Sequence, residues 1–213
     1  MGRVMVRQVD TTPGTQLDLI VLVPAPRSCL AVDVATNAVL RVHHPRQDEI
    51  APFTVVRTRV AERRSDRLEQ PEAIDVSATL RPIGRIMGVR CERLLRSIDS
   101  ELHRPTLGIA GPGIPLWALD GSRPSVEIVK APFSTVLTVD ERGVRCQFRG
   151  PRGTEDLPVE DRRLLRRLDW LPSGRLSLRE LAPALGHRPS RLAVALSRPQ
   201  QGYCYKVIAS LLP

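Results

Sequence analysis

Hydrophobic and polar positions change period along the chain. Leu17 to Val23 is an apolar run broken only by Asp18, the pattern of a buried strand. Leu30–Val34 and Val39–His43 flank Ala-Thr-Asn-Ala, where Asn37 can take positive φ, so the two runs predict a hairpin. From Phe53 to Ala61, Val55, Arg57 and Arg59 alternate with Val56, Thr58 and Val60, which predicts a strand with one basic and one apolar face. A charged loop from Arg63 to Glu72 leads to a further strand over Ala73–Leu80. Leu94, Leu95, Ile98 and Leu102 then recur at helical spacing, predicting a helix over Arg90–Leu102. The Gly/Pro-rich stretch from Gly108 to Ser125 predicts irregular chain that seats Trp117. Val126–Val129, Thr135–Val139 and Val144–Phe148 are strand candidates, the last two joined by a turn at Asp140–Gly143.

Past Gly150–Pro158 the period becomes helical. Leu164, Leu165, Leu168 and Leu171 share one face of a helix predicted over Glu160–Leu171. Ser177 with Glu180 has the spacing of a capping box, Gly186 suits a C′ position, and Pro189 suits a first helical turn. Two more helices are therefore expected, Ser177–Gly186 and Pro189–Ser197, and the apolar tail Gly202–Leu212 fits strand or helix. The expected fold class is α+β. A mainly β barrel or sandwich with one helix would occupy 1–157, and a small helical module over 158–213 would dock on it.

Composition narrows the function classes. The chain has 213 residues, 42% hydrophobic and only 3% aromatic, too apolar for a disordered polymer. Lysine and arginine number 32 against 23 acids, a net charge of +9. Thirty of those bases are Arg, a preference expected of GC-rich coding, so residue type carries no functional signal while the excess does. A basic surplus favours a polyanion. From residue 158 onward 10 bases meet 4 acids, so most of the surplus falls in the expected helical module. The first ten residues lack the apolar core of a signal peptide, Val6 stands where a myristoylation signal needs Ser or Thr, and no apolar stretch approaches a membrane span. A cytoplasmic location is expected, with no membrane partner. Cys29, Cys91, Cys146 and Cys204 are too widely spaced for a zinc motif and are expected to be reduced and mostly buried.

The segment from Arg179 to Leu196 resembles a helix-turn-helix. Leu181 and Leu185 would face the core, Ala182 would sit at the helix crossing, Gly186 would make the turn, and Leu192, Ala195 and Leu196 would bury the second helix. Pro183 departs from that pattern. The resemblance implies a recognition helix with Arg188, Ser190, Arg191 and Val194 at the reading surface and Arg175 and Arg179 near phosphates. Arg162, Arg163, Arg166 and Arg167 form two like-charged i, i+4 pairs, each unfavourable by a few tenths of a kcal/mol. A polyanion would relieve that repulsion; a solvated arginine face is the alternative.

Other signals are weaker. Gly108, Gly111 and Gly113 lack the Lys-Ser/Thr of a phosphate loop, His43-His44 has no third ligand at motif spacing, Asp48-Glu49 falls in a turn, and no G-x-S-x-G occurs. No cofactor, metal or catalytic pair is expected. The few aromatics argue for duplex over single-strand binding. The stretches Gly111–Ser125 and Gly202–Pro213 resemble segments of a group of uncharacterised proteins from GC-rich bacteria. That resemblance spans most of the chain and implies the two-part layout, with no chemistry attached. The expected function is non-enzymatic nucleic-acid binding, as a DNA-binding regulator acting on duplex DNA with RNA as a second option. A structural or protein-interaction role, with the basic patch meeting an acidic partner, is the alternative. Oligomeric state is open.

Overall fold

A computed structural model describes residues 9–45, 50–61, 69–77, 79–100, 104–141, 143–167 and 173–213. The chain divides into two compact units, Met1–Ile98 and Asp99–Pro213.

In the first unit the apolar run becomes β1 (Gln16–Ala25). It is joined by β2 (Ser28–Asp33), β3 (Val39–His43), β4 (Thr54–Arg59), β5 (Ala73–Asp75) and β6 (Arg81–Arg85) in one sheet of order β5-β3-β2-β1-β4-β6. β1 lies inside the sheet, which explains why its run tolerates a single charge. That charge, Asp18, is answered across the ladder by Arg57. The predicted hairpin forms, with Asn37 at φ +57° and the Asp33 carboxylate accepting from the Thr36 N–H and hydroxyl. β4 alternates as its sequence dictates: Thr54, Val56 and Thr58 are buried, Arg57 and Arg59 exposed. Leu17, Leu19, Val21, Ala31, Val42 and Val56 form the core of this unit. α1 (Val89–Ile98) follows β6, close to its predicted place.

The second unit starts with β7 (Asp99–Ser100) and contains two sheets. One is β12 (Gly153–Pro158), β11 (Gly143–Gly150), β10 (Val136–Asp140) and β13 (Gly174–Ser177), in that order. The other runs β7, β9 (Val126–Lys130), β14 (Arg191–Leu196), β15 (Tyr203–Leu212) and β8 (Gly113–Pro115). Leu137, Cys146 and Phe148 from the first meet Leu192, Val194 and Ile208 from the second in a single core. Two one-turn helices, α2 (Arg162–Leu165) and α3 (Ala182–Leu185), lie between strands of the two sheets in sequence.

This architecture is mostly β, and it overturns the α+β class with a helical C-terminal module. The described residues of 158–213 hold three strands and two four-residue helices. The expected boundary at 157/158 falls inside the second unit, because β12 pairs with β11 and Leu157 shares a core with Leu192. No helix-turn-helix exists: its second helix is β14, a strand paired on both sides, with β9 and β15. Leu192, Val194 and Leu196 alternate with Ala193 and Ala195, so the segment satisfies period two as well as a helical spacing. Burial of each large side chain contributes about 1.5–3 kcal/mol, which outweighs helix preferences of a few tenths. Pro189 and Pro199 also confine the segment to less than a stable isolated helix. The tail resolves as strand β15. Glu180 accepts from the Ser177 N–H and hydroxyl, half of a capping box, while the Glu180 N–H donates to the Ser177 carbonyl. Gly186 takes φ +75°, yet between them lies a turn and a single helical turn. Leu168, Trp170 and Leu171 of the predicted first helix, Leu102, Asp48-Glu49 and the loop 62–68 lie outside the described residues. Among the described residues, no helix is long and apolar enough to cross a membrane.

Candidate functional site

The arginine-rich surface is built on a buried acid. After β12, the Glu160 N–H donates to the Ile208 carbonyl at 2.8 Å, which lays the chain along β15. Asp161, 2% exposed, caps α2 by accepting from the Arg163 N–H at 2.9 Å. Its Oδ2 also accepts from Arg163 Nη2 (3.0 Å), the Ser210 hydroxyl (2.9 Å) and the Leu211 N–H (3.0 Å). Arg163 Nη2 donates in turn to Ser210 Oγ and the Leu211 carbonyl. Burial pushes the Asp161 carboxyl up, but Arg163, Leu211 and Ser210 together hold it below the ordinary carboxylate value. α3 joins the same end of β15 through His187, whose Nε2 bonds the Leu211 carbonyl at 3.1 Å. Burial holds the His187 imidazole below its ordinary value, with the Arg163 charge acting the same way. Arg167 donates to the Ala184 carbonyl and ties α2 to α3.

Arg162, Arg166 and Arg167 in and just after α2, Arg179 and Arg188 flanking α3, and Arg175 on β13 are exposed. Among the described residues, Arg162, Arg175, Arg179 and Arg188 make no ion pair. Four expected site residues have other duties. Arg163 neutralises Asp161. Arg191 is 3% exposed and donates Nε to both Asp99 oxygens (2.9 and 3.1 Å) and Nη1 to Ser190 Oγ and the Pro213 carbonyl (2.9 Å each). Ser190 therefore supports Arg191, and Val194 lies in the core. The reading surface implied by a recognition helix does not form: Val194 lies in the core, Ser190 and Arg191 are bound within the fold, and of the four only Arg188 is exposed.

No protein-family model, curated protein or solved structure matches the chain. Its function is therefore read from its own residues.

Features that sequence reasoning missed are polar groups inside apolar elements. Lys206, 2% exposed, donates Nζ to Glu155 Oε2 (2.6 Å), Thr106 Oγ1 (3.0 Å) and the Ile109 carbonyl (3.3 Å). Thr106 donates to both Glu155 oxygens. Glu127 accepts from the Leu107 N–H at 2.7 Å and from Arg104, fixing the same loop where Leu107 holds φ +57°. A lysine in an apolar tail was the available signal: such a charge is buried only with a partner. Aromatic placement differs too. Trp117 is 86% exposed and not seated in its loop, Phe133 is fully exposed, and Tyr203 and Tyr205 stack with centroids 6.1 Å apart. Gly113 lets the loop before Trp117 approach β15, since a Cβ there would lie 2.8 Å from the Cys204 carbonyl.

The histidines and cysteines are structurally occupied. His43 bonds Gln70, and the buried His44 bonds the Pro45 carbonyl. All four cysteines are unbridged, and three are buried. Burial pushes the Cys29 thiol up to about 12, so it is neutral and no nucleophile beside His44. Among the described residues no group of three metal-binding side chains occurs.

Proposed function

We propose that this protein binds nucleic acid through the arginine surface around α2, α3 and the end of β15. The observation that supports it is the set of exposed arginines Arg162, Arg175, Arg179 and Arg188, which have no carboxylate partner among the described residues. An arginine fork matches phosphate oxygens, and each phosphate bound releases condensed counterions. α2 and α3 are four residues each, about 6 Å long. Helices that short do not fill a major groove, so the arginines meet the phosphate backbone and carry no base readout.

Exposed Trp117 and the Tyr203–Tyr205 stack stand at the opposite end of β15 from Leu211, about 25 Å along the strand. A single strand reaching along β15 can lay unstacked bases on them, which favours a single-stranded ligand over a duplex. Fluorescence anisotropy with a labelled single-stranded oligonucleotide and the matching duplex tests both points. Binding is expected for both, tighter for the single strand, with log K falling linearly in log salt by about 0.7–0.9 per phosphate neutralised. Absence of binding at about 50 mM salt sinks the reading; a preference for duplex removes the stacking contribution.

A further inference from the structure

The first unit carries a second cationic surface of a different kind. β6 is an edge strand: it pairs with β4 and with no strand beyond it among the described residues. All five of its residues are exposed, and the exposure continues to Arg90 with only Ile86 partly covered. Within this stretch Ile83 is 44%, Met87 71% and Val89 75% exposed. Arg81, Arg85 and Arg90 make no ion pair among the described residues.

The cross-strand register shows what is missing. Asp18 on β1 faces Arg57 on β4, and Arg57 faces Arg81 on β6. Arg57 spends its fork on Asp18, at 2.7 and 2.8 Å. The row therefore reads acid, base, base, and Arg81 stands beside a like charge at the open end. Directly opposed like charges on neighbouring strands are unfavourable. A carboxylate on a seventh strand would complete the row.

Charge, Pro82 and the register shift between Val55 and Val56 are devices that keep an edge from pairing indiscriminately. They select among occupants. A second copy pairing antiparallel would set a strand with two arginines and no acid against its own like, so self-association is disfavoured. These devices do not account for the exposed Ile83, Met87 and Val89, which offer an apolar surface beside the basic row. We propose that an extended acidic segment of a partner protein, alternating acidic with apolar residues, adds to β6 as a seventh strand. Main-chain hydrogen bonds supply the affinity. Arg81, on the Arg57 face of the sheet, meets the acidic face of the segment, while Arg85, opposite Thr54 on the other face, adds to the positive charge of the edge. This site is separate from the nucleic-acid reading and does not depend on it.

A peptide alternating Glu and Val, and its Lys–Val counterpart, test the proposal against the wild-type chain and an Arg81→Glu/Arg85→Glu variant. The Glu peptide is expected to bind the wild type and slow amide exchange over residues 81–87, and to bind the variant about a hundredfold more weakly. The Lys peptide is expected to reverse that order, which also shows the variant folded. Equal binding of the Glu peptide to both chains, protection confined to another segment, or protection of 81–87 by chain concentration alone or by an oligonucleotide overturns it.

Discussion

In the second unit the exposed arginines ride on turns and one-turn helices around a buried acid and, for Arg175, on the short edge strand β13. In the first, Arg81 and Arg85 stand on a sheet edge whose own backbone is open to pairing. The surplus is shared almost evenly, with 15 bases and 11 acids in Met1–Ile98 against 17 and 12 in Asp99–Pro213. Charge alone therefore does not separate the surfaces; what lies beside the arginines does. Around α2 and α3 no large hydrophobic side chain is exposed among the described residues, which suits phosphates approached from solvent. Along β6 they are exposed Ile83, Met87 and a free strand edge, which suit an extended chain. The arginines that sequence spacing grouped together divide the same way. Arg163 and Arg191 build the fold, and Arg188 and Arg179 face outward.

That division can be broken by mutation, and the largest effects belong to the buried charges. Asp161→Ala, Lys206→Met and Arg191→Ala each leave a partner charge stranded and are expected to cost about 3–5 kcal/mol in urea unfolding. Arg188→Ala and Arg179→Ala are expected to cost no more than about 0.5 kcal/mol. Pairing Lys206→Met with Glu155→Met should recover most of the loss, because a buried ion pair is often no better than apolar packing of similar volume. A surface-like effect for Asp161→Ala would show that Asp161 does not hold α2 against β15.

Acid sharpens the comparison by a smaller amount. The folded Asp161 value lies below the unfolded one, so the unfolded chain takes up the proton first as pH falls. Its contribution is complete above a pH of about 4 and is lost as pH drops through the folded value. His187 is also depressed, so its contribution is complete above about 6.5 and declines as pH falls below that. Stability measured against pH should therefore fall in two stages, and Asp161→Asn and His187→Gln should each flatten one of them. Neither stage should change in Arg81→Glu/Arg85→Glu.

β1 to β5 and β9 to β11 were legible, β1 as an apolar run and β3, β4, β10 and β11 from period-two alternation ending in turns such as Asn37 and Asp140–Gly143. β6 was not predicted, because Arg81–Arg85 carries no buried face. β14 was not, since Leu192, Ala195 and Leu196 fit a helical stripe until its pairing with β9 and β15 is known. Gly186 was foreseen as a turn at positive φ, and its local geometry is right within the wrong larger motif. The exposed arginines of the candidate site were named from sequence. Arg191 was named for the wrong reason: nothing in its neighbours announces that Asp99, 92 residues away, is its partner. Lys206 and Glu155 are separated by 51 positions and escaped notice for the same reason. Long-range charge pairing has no local period, so it leaves no trace in patterning.

The most direct measurement is the salt dependence of single-stranded oligonucleotide binding by an Arg162→Ala/Arg175→Ala/Arg179→Ala/Arg188→Ala variant, compared with the wild type and with Arg81→Glu/Arg85→Glu. The predicted result is a log–log slope flattened by about 0.7 for each phosphate that the first variant no longer neutralises, and unchanged in the second. An unchanged slope in the first variant, or equal flattening in both, would contradict the assignment of nucleic acid to the second unit.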